Sequence, residues 1–162
     1  GTVLEQSLDI MQWALERHDP QGWLLPERGS ITEMLALIAR FDDRFKYHLD
    51  RYKYPHRYES AEPQTFAQQH RTEGTQYLEQ LNSMLKEAPY LFGTRLAFAD
   101  AAIVPFVRQF ALTDWNWFEQ QPWPQLHSWL SGVLQSDLFE NSLQKYSKWT
   151  PNSPKTFFPA HA

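Results

Sequence analysis

The chain has 162 residues, 42% hydrophobic and 21% charged, a composition that supports one folded domain with a real core and excludes a disordered chain. Its formal net charge of −4 argues against a polyanion binder, because phosphate recognition needs clustered excess Lys and Arg. There is no cysteine, which removes disulfides, a thiolate nucleophile and thiolate zinc ligands.

Residues 3–17 place Leu4, Leu8, Met11 and Leu15 on one helical face, widened by Ile10, Trp13 and Ala14. The run His18-Asp19-Pro20-Gln21-Gly22 ends that helix. The opening GTVLEQSLDIMQW lacks the basic-then-apolar order of a signal peptide, and Gly1 directly ahead of a helical pattern is expected to mark a piece of a longer chain. A second helix should start at Ser30, with Glu33 completing a capping box, and carry Ile31, Met34, Leu35, Ile38, Phe41, Phe45 and Leu49 as its apolar positions. It decays into the aromatic, mixed-charge stretch RYKYPHRY and stops at Pro55. A third helix spans 63–86, with Pro63 in its first turn and Phe66, His70, Tyr77, Leu78, Leu81 and Met84 inside.

The fourth helix, 97–112, is apolar nearly all round, the pattern of a central buried helix. Residues 113–118 read as a bulky aromatic turn, followed by helices over 124–135 and 137–144. No segment alternates with a period of two, so the class is all-α, with about five or six helices around one buried central helix. The domain is expected over 2–149, with 150–162, which holds three prolines, as an extended or mobile tail.

Asp100 stands inside the apolar fourth helix. With Ala97 as N-cap, Asp100 is the third helical residue, the place of a capping-box acid that accepts the cap residue's N–H and meets the positive end of the helix dipole. Leu96 and Ala101 are placed as a hydrophobic staple, and Pro105 should kink the helix because it has no N–H for the Ala101 carbonyl. Gly93, Ala99, Asp100 and Pro105 together resemble the core of the carboxy-terminal helical domain of cytosolic glutathione transferases of bacterial type. Ala97 departs from the pattern, since the family usually has Ser or Thr at the cap. The order of helices and the Pro122-Trp123-Pro124 lead into the fifth follow the family across nearly the whole chain.

The resemblance implies a protein of two domains. An amino-terminal thioredoxin-like domain, absent from this chain, would bind most of the glutathione and supply the activating Ser, Tyr or Cys. No catalytic residue and no cofactor is therefore expected in this chain, with glutathione as cosubstrate of the full-length protein. The helical domain would help form the pocket for an apolar electrophile. Trp13, Phe110, Trp115 and Trp117 are its candidate lining, against core packing as the alternative. Asp9 and Arg17 are candidates to contact glutathione, or else ordinary solvated charges. The expected partners are the chain's own thioredoxin-like domain and a second copy in a full-length homodimer, with no nucleic acid and no membrane, in the cytoplasm. The alternative is a non-catalytic interaction module of the same fold.

The six His show no metal-ligand pair with a nearby acid on one helix face, and His70 reads as a core residue. No stretch is apolar for long enough to span a bilayer. RYKYPHRY, flanked by Asp50 and Glu59, reads as a solvated helix end rather than a stacking platform for nucleic acid.

Overall fold

A computed structural model of the chain describes residues 3–143, 145–148 and 150–155. Among them the regular structure is helical, apart from one isolated bridge between Tyr90 and Gly93. The expected tail lies partly outside the described residues. Within its described part, Thr150 and Ser153 close a turn, Ser153 N–H donating to the Thr150 carbonyl at 2.9 Å.

Helix α1 (Ser7–Arg17) has no buried residue. Leu8, Met11 and Leu15 lean on the core, while Ile10 and Trp13 face solvent. Helix α2 (Ile31–Arg40) begins where Ser30 Oγ accepts the Glu33 N–H at 3.2 Å and donates to Glu33 Oε2 at 2.8 Å. It runs without a break through a π-helical turn (Phe41–Phe45) into α3 (Lys46–Lys53). Phe41 and Phe45, at the two ends of this turn, are both fully buried, with ring centroids 4.9 Å apart. A short 3₁₀ turn (Pro55–Arg57) ends the run.

Helix α4 (Pro63–Met84) lies along α3. Gly74 is required there. A Cβ at this position would stand 2.5 Å from Phe110 Cε2, so the glycine makes room on α4 for the Phe110 ring reaching across from α5 (Phe98–Thr113). α5 is the central helix, packed against α2, α3 and α7. The expected aromatic turn contains a further short helix, α6 (Trp115–Glu119): Asp114 acts as its N-cap, Oδ1 accepting the Trp117 N–H at 3.1 Å. Helices α7 (Pro124–Leu134) and α8 (Asp137–Ser142) complete the bundle.

Trp123 gives α7 no side-chain cap. Asn82 of α4 does so from across the bundle, its Oδ1 accepting the Leu126 N–H at 3.1 Å. The loop before α2 is tied to α5 by several bonds. Arg95 donates to the carbonyls of Gln21, Gly22 and Leu25. Glu27 takes the Thr94 hydroxyl at 2.8 Å, and Phe98 N–H donates to the Trp23 carbonyl at 3.0 Å. Gly93 sits at φ 147°, in the region that other residues avoid, and closes this corner.

Candidate functional site

Asp100 has no exposed surface and lies where three segments meet. Oδ2 accepts the Ala97 N–H at 2.9 Å, across the first turn of α5. Oδ1 accepts the Leu91 N–H at 3.0 Å, from the preceding loop, and the Trp129 indole N–H at 2.7 Å, from α7. Ala97 has no side-chain acceptor to return the bond. Burial pushes the carboxyl above its ordinary range, against the pull of the three donors. With all three donors drawn from the chain itself and no exposed surface, this carboxylate is turned to holding segments together, and its geometry is that of a joint.

Beside the start of α5 is a cavity of about 450 Å³. Met11 reaches it from α1, Trp23 from the following loop, Ala101 and Pro105 from α5, Val133 from α7 and Phe139 from α8. No charged residue lines it. Its size and apolar walls suit a small ligand. Leu96 and Ala101, the expected staple pair, both border it.

The four residues expected to line one apolar pocket are not brought together. Phe110 is 1% exposed and packs among Phe45, Tyr52 and Trp117. Trp117 is half-buried beneath the Arg71 guanidinium, 4.4 Å from its ring centroid. Trp115 is 46% exposed and faces a different hollow, with His127 and Leu134. Trp13 is 42% exposed on the outer side of α1, with the Arg17 guanidinium stacked 3.9 Å from its ring centroid. Arg17 also donates to the Trp13 carbonyl at 3.0 Å. Asp9 is exposed in the first turn of the same helix. None of the four aromatic residues lines the cavity beside α5, whose aromatic members are Trp23 and Phe139. The one local signal was Pro105, an exposed proline inside an apolar helix.

A second cluster joins α3 to α4. His48 Nδ1 and His70 Nδ1 are 2.9 Å apart, 22 residues apart in sequence. The Tyr47, Phe66 and Tyr77 rings surround them. Desolvation lowers the pKa of both. For His48, Glu73 opposes this while Arg51 and Arg44 add to it; for His70, His48 and Arg51 add to it and Glu73 opposes. Among the described residues no group of three or more His, Asp or Glu could hold a metal ion, and no helix is long and apolar enough to cross a membrane. In RYKYPHRY the bases fold onto their own rings: the Arg51 guanidinium lies 3.4 Å from the Tyr47 ring centroid and 4.4 Å from that of Tyr58, and Arg57 lies over Tyr54 at 4.0 Å.

No curated protein sequence matches the chain. Residues 63–131 match the family model described as glutathione S-transferase, C-terminal domain. Among solved structures the chain resembles that of BphK, described as a bacterial glutathione S-transferase, in a ternary complex. The two share 20% identity at a TM-score of 0.69, over 88% of this chain and 68% of that one. A glutathione S-transferase from Rhodospirillum rubrum F11 gives 20% identity and a TM-score of 0.69, over 91% and 68%. A glutathione S-transferase I bound with lactoylglutathione gives 18% and 0.68, over 85% and 67%. At these identities the likeness is one of fold, and the chain spans about two-thirds of the length of each. The matched segment contains α4, the α5 capping turn with Asp100, and the part of α7 that bonds to it, so the part of the chain similar to a glutathione S-transferase C-terminal domain is the centre of the fold.

Proposed function

We propose that this chain is the carboxy-terminal helical domain of a glutathione transferase, joined in the intact protein to an amino-terminal thioredoxin-like domain. The supporting observation is that the family match at 63–131 falls on the α4–α5–α7 centre, held by Asp100. In this reading the domain takes in 2–149, and 150–162 follow it. The intact protein is a cytoplasmic homodimer.

The apolar electrophile is assigned to the cavity between α1, α5, α7 and α8, in place of Trp13, Phe110, Trp115 and Trp117, of which only Phe110 and Trp117 pack together. The cavity's uncharged walls strip water from a neutral ligand without stranding a charge. The exposed side of α1, with Ile10, Trp13 and nearby Leu25, is read as surface that the thioredoxin-like domain covers. Asp9 and Arg17 remain candidates to face glutathione from this helix. Arg17 would have to leave the Trp13 ring to do so. Glutathione would be held and its thiol activated by the amino-terminal domain. The thiolate sulfur would then attack the electrophile, forming a carbon–sulfur bond and expelling a leaving group, or would exchange with a disulfide.

Retention of the full-length protein on immobilised glutathione, with elution by free glutathione, tests this reading. Retention with turnover of a chloronitrobenzene electrophile is expected from the full-length protein, and no turnover from the 162-residue chain alone. A full-length protein that neither binds glutathione nor turns over an electrophile would leave the interaction-module reading in its place.

A further inference from the structure

A second hollow, of about 390 Å³, opens where α6 and α7 diverge. It shares no lining residue with the cavity beside α5. Trp115 and Glu119 reach it from α6, four residues apart and so on one face of that helix. His127, Leu130 and Leu134 reach it from α7 at spacings of three and four, a single helical stripe. Its floor is apolar, because Phe118 and Leu130 are each only 1% exposed. Its wall is aromatic: the Phe118 ring lies 5.8 Å from that of Trp115 and 5.1 Å from that of His127, centroid to centroid. The Phe118 carbonyl can only accept, so His127 Nε2–H donates to it at 3.1 Å and ties α7 to α6 beside the hollow.

The charge in this hollow has one sign. Glu119 lines it, and no lysine or arginine does. The Glu119 side chain is exposed and has no hydrogen bond or ion pair among the described residues. Aromatic rings attract cations, and a carboxylate in the same wall adds to that attraction. A neutral molecule would gain only from the apolar floor, and an anion would meet Glu119. The volume is near the lower end of the range for ligand pockets, about 300–1,000 Å³, so it suits a body of one ring. We propose that this hollow binds small organic cations, alkyl- or arylammonium ions whose carbon body fills the apolar floor and whose charge is held by Trp115 and Glu119. The proposal is independent of where the electrophile binds.

Calorimetric titration of the chain with 2-phenylethylamine, 2-phenylethanol and 3-phenylpropanoate tests it. The protonated amine should bind about threefold to thirtyfold more tightly than the alcohol, the span of an exposed cation–aromatic contact plus an exposed ion pair, with the carboxylate the weakest. Glu119→Gln removes the charge and Trp115→Leu removes the ring. Each should lower the amine-to-alcohol ratio about twofold to fivefold. Ser131→Trp fills the hollow from the same face of α7 and should block both the amine and the alcohol. All three substitutions are at exposed positions, and circular dichroism should show the parent's helix content in each. Absence of amine binding, or an amine bound no more tightly than the alcohol, would overturn the proposal. So would a ratio that either Glu119→Gln or Trp115→Leu leaves unmoved, or amine binding untouched by Ser131→Trp.

Discussion

Replacing Asp100 by alanine should unfold the bundle at its joint. The carboxylate accepts three hydrogen bonds, from Leu91 N–H, Ala97 N–H and the Trp129 indole, and has no exposed surface. Truncation leaves three buried donors without partners, each costing about 1–3 kcal/mol. Part of that is offset, because the parent chain bears the cost of burying the carboxylate, visible in its raised pKa. The net expectation is a loss of about 4 kcal/mol, within the range for removing one member of a buried charged network. For a chain of this size that is a fall of about 8–16 °C in melting temperature. Asp100→Asn keeps one oxygen but turns an amide group toward a donor. It should fall between the two, at about 1–3 kcal/mol. Urea unfolding followed by circular dichroism measures both changes, and an unchanged m-value confirms that stability alone has moved. A melting temperature for Asp100→Ala within about 2 °C of the parent's would refute the joint. So would an Asn variant more damaging than the Ala one, which would point to steric conflict rather than lost acceptors.

Ala97→Ser supplies the missing half of the capping box and should stabilise by about 0.5–1 kcal/mol, read in the same urea experiment. Gly74→Ala drives a Cβ to 2.5 Å from the buried Phe110 ring and should cost about 1–3 kcal/mol. Gly132→Ala meets nothing within 4 Å on the exposed side of α7 and should stabilise by about 0.5–1 kcal/mol, so the two glycines should move the unfolding midpoint in opposite directions. The His48–His70 contact sets a pH dependence. Burial holds both imidazoles below the ordinary histidine pKa of 6.5 in the folded state, so the unfolded chain binds more protons. Their stabilising contribution is therefore complete above about pH 7 and is lost as pH falls through 6.5 toward the lowered values. The urea midpoint should drop between about pH 7 and pH 5, and a His48→Gln/His70→Gln double variant should flatten that slope. An identical slope in the double variant would assign the effect to other groups.

Helix positions were legible because each depends on residues three or four apart. Ser30 with Glu33 marked the start of α2, Pro63 marked α4, and the all-round apolar run marked α5 as central. Asp114 was a legible cap in principle, but the heavy aromatic content of residues 113–118 concealed a helix of five residues. The π-helical turn at Phe41–Phe45 was invisible to a 3.6-residue template, which both phenylalanines satisfied well enough. The candidate site was much less legible. Phe110 is packed against Trp117 while Trp13 and Trp115 are exposed elsewhere, a division not legible beforehand because sequence shows that a face is buried and not what covers it.

The sequence by itself determined the helical class, the order of the helices and the capping turn at Ala97–Asp100, all of which follow from local spacing and turn chemistry. Tertiary structure alone decided where helices from distant parts of the chain meet. It placed Trp129 on Asp100, Asn82 at the start of α7, and His48 against His70. It also set apolar residues of α1, α5, α7 and α8 around one cavity. The reason is physical. Periodicity fixes which stripe of a helix is apolar, while the rotation and crossing of packed helices select the residues that touch, and that choice depends on side chains tens of residues apart acting together.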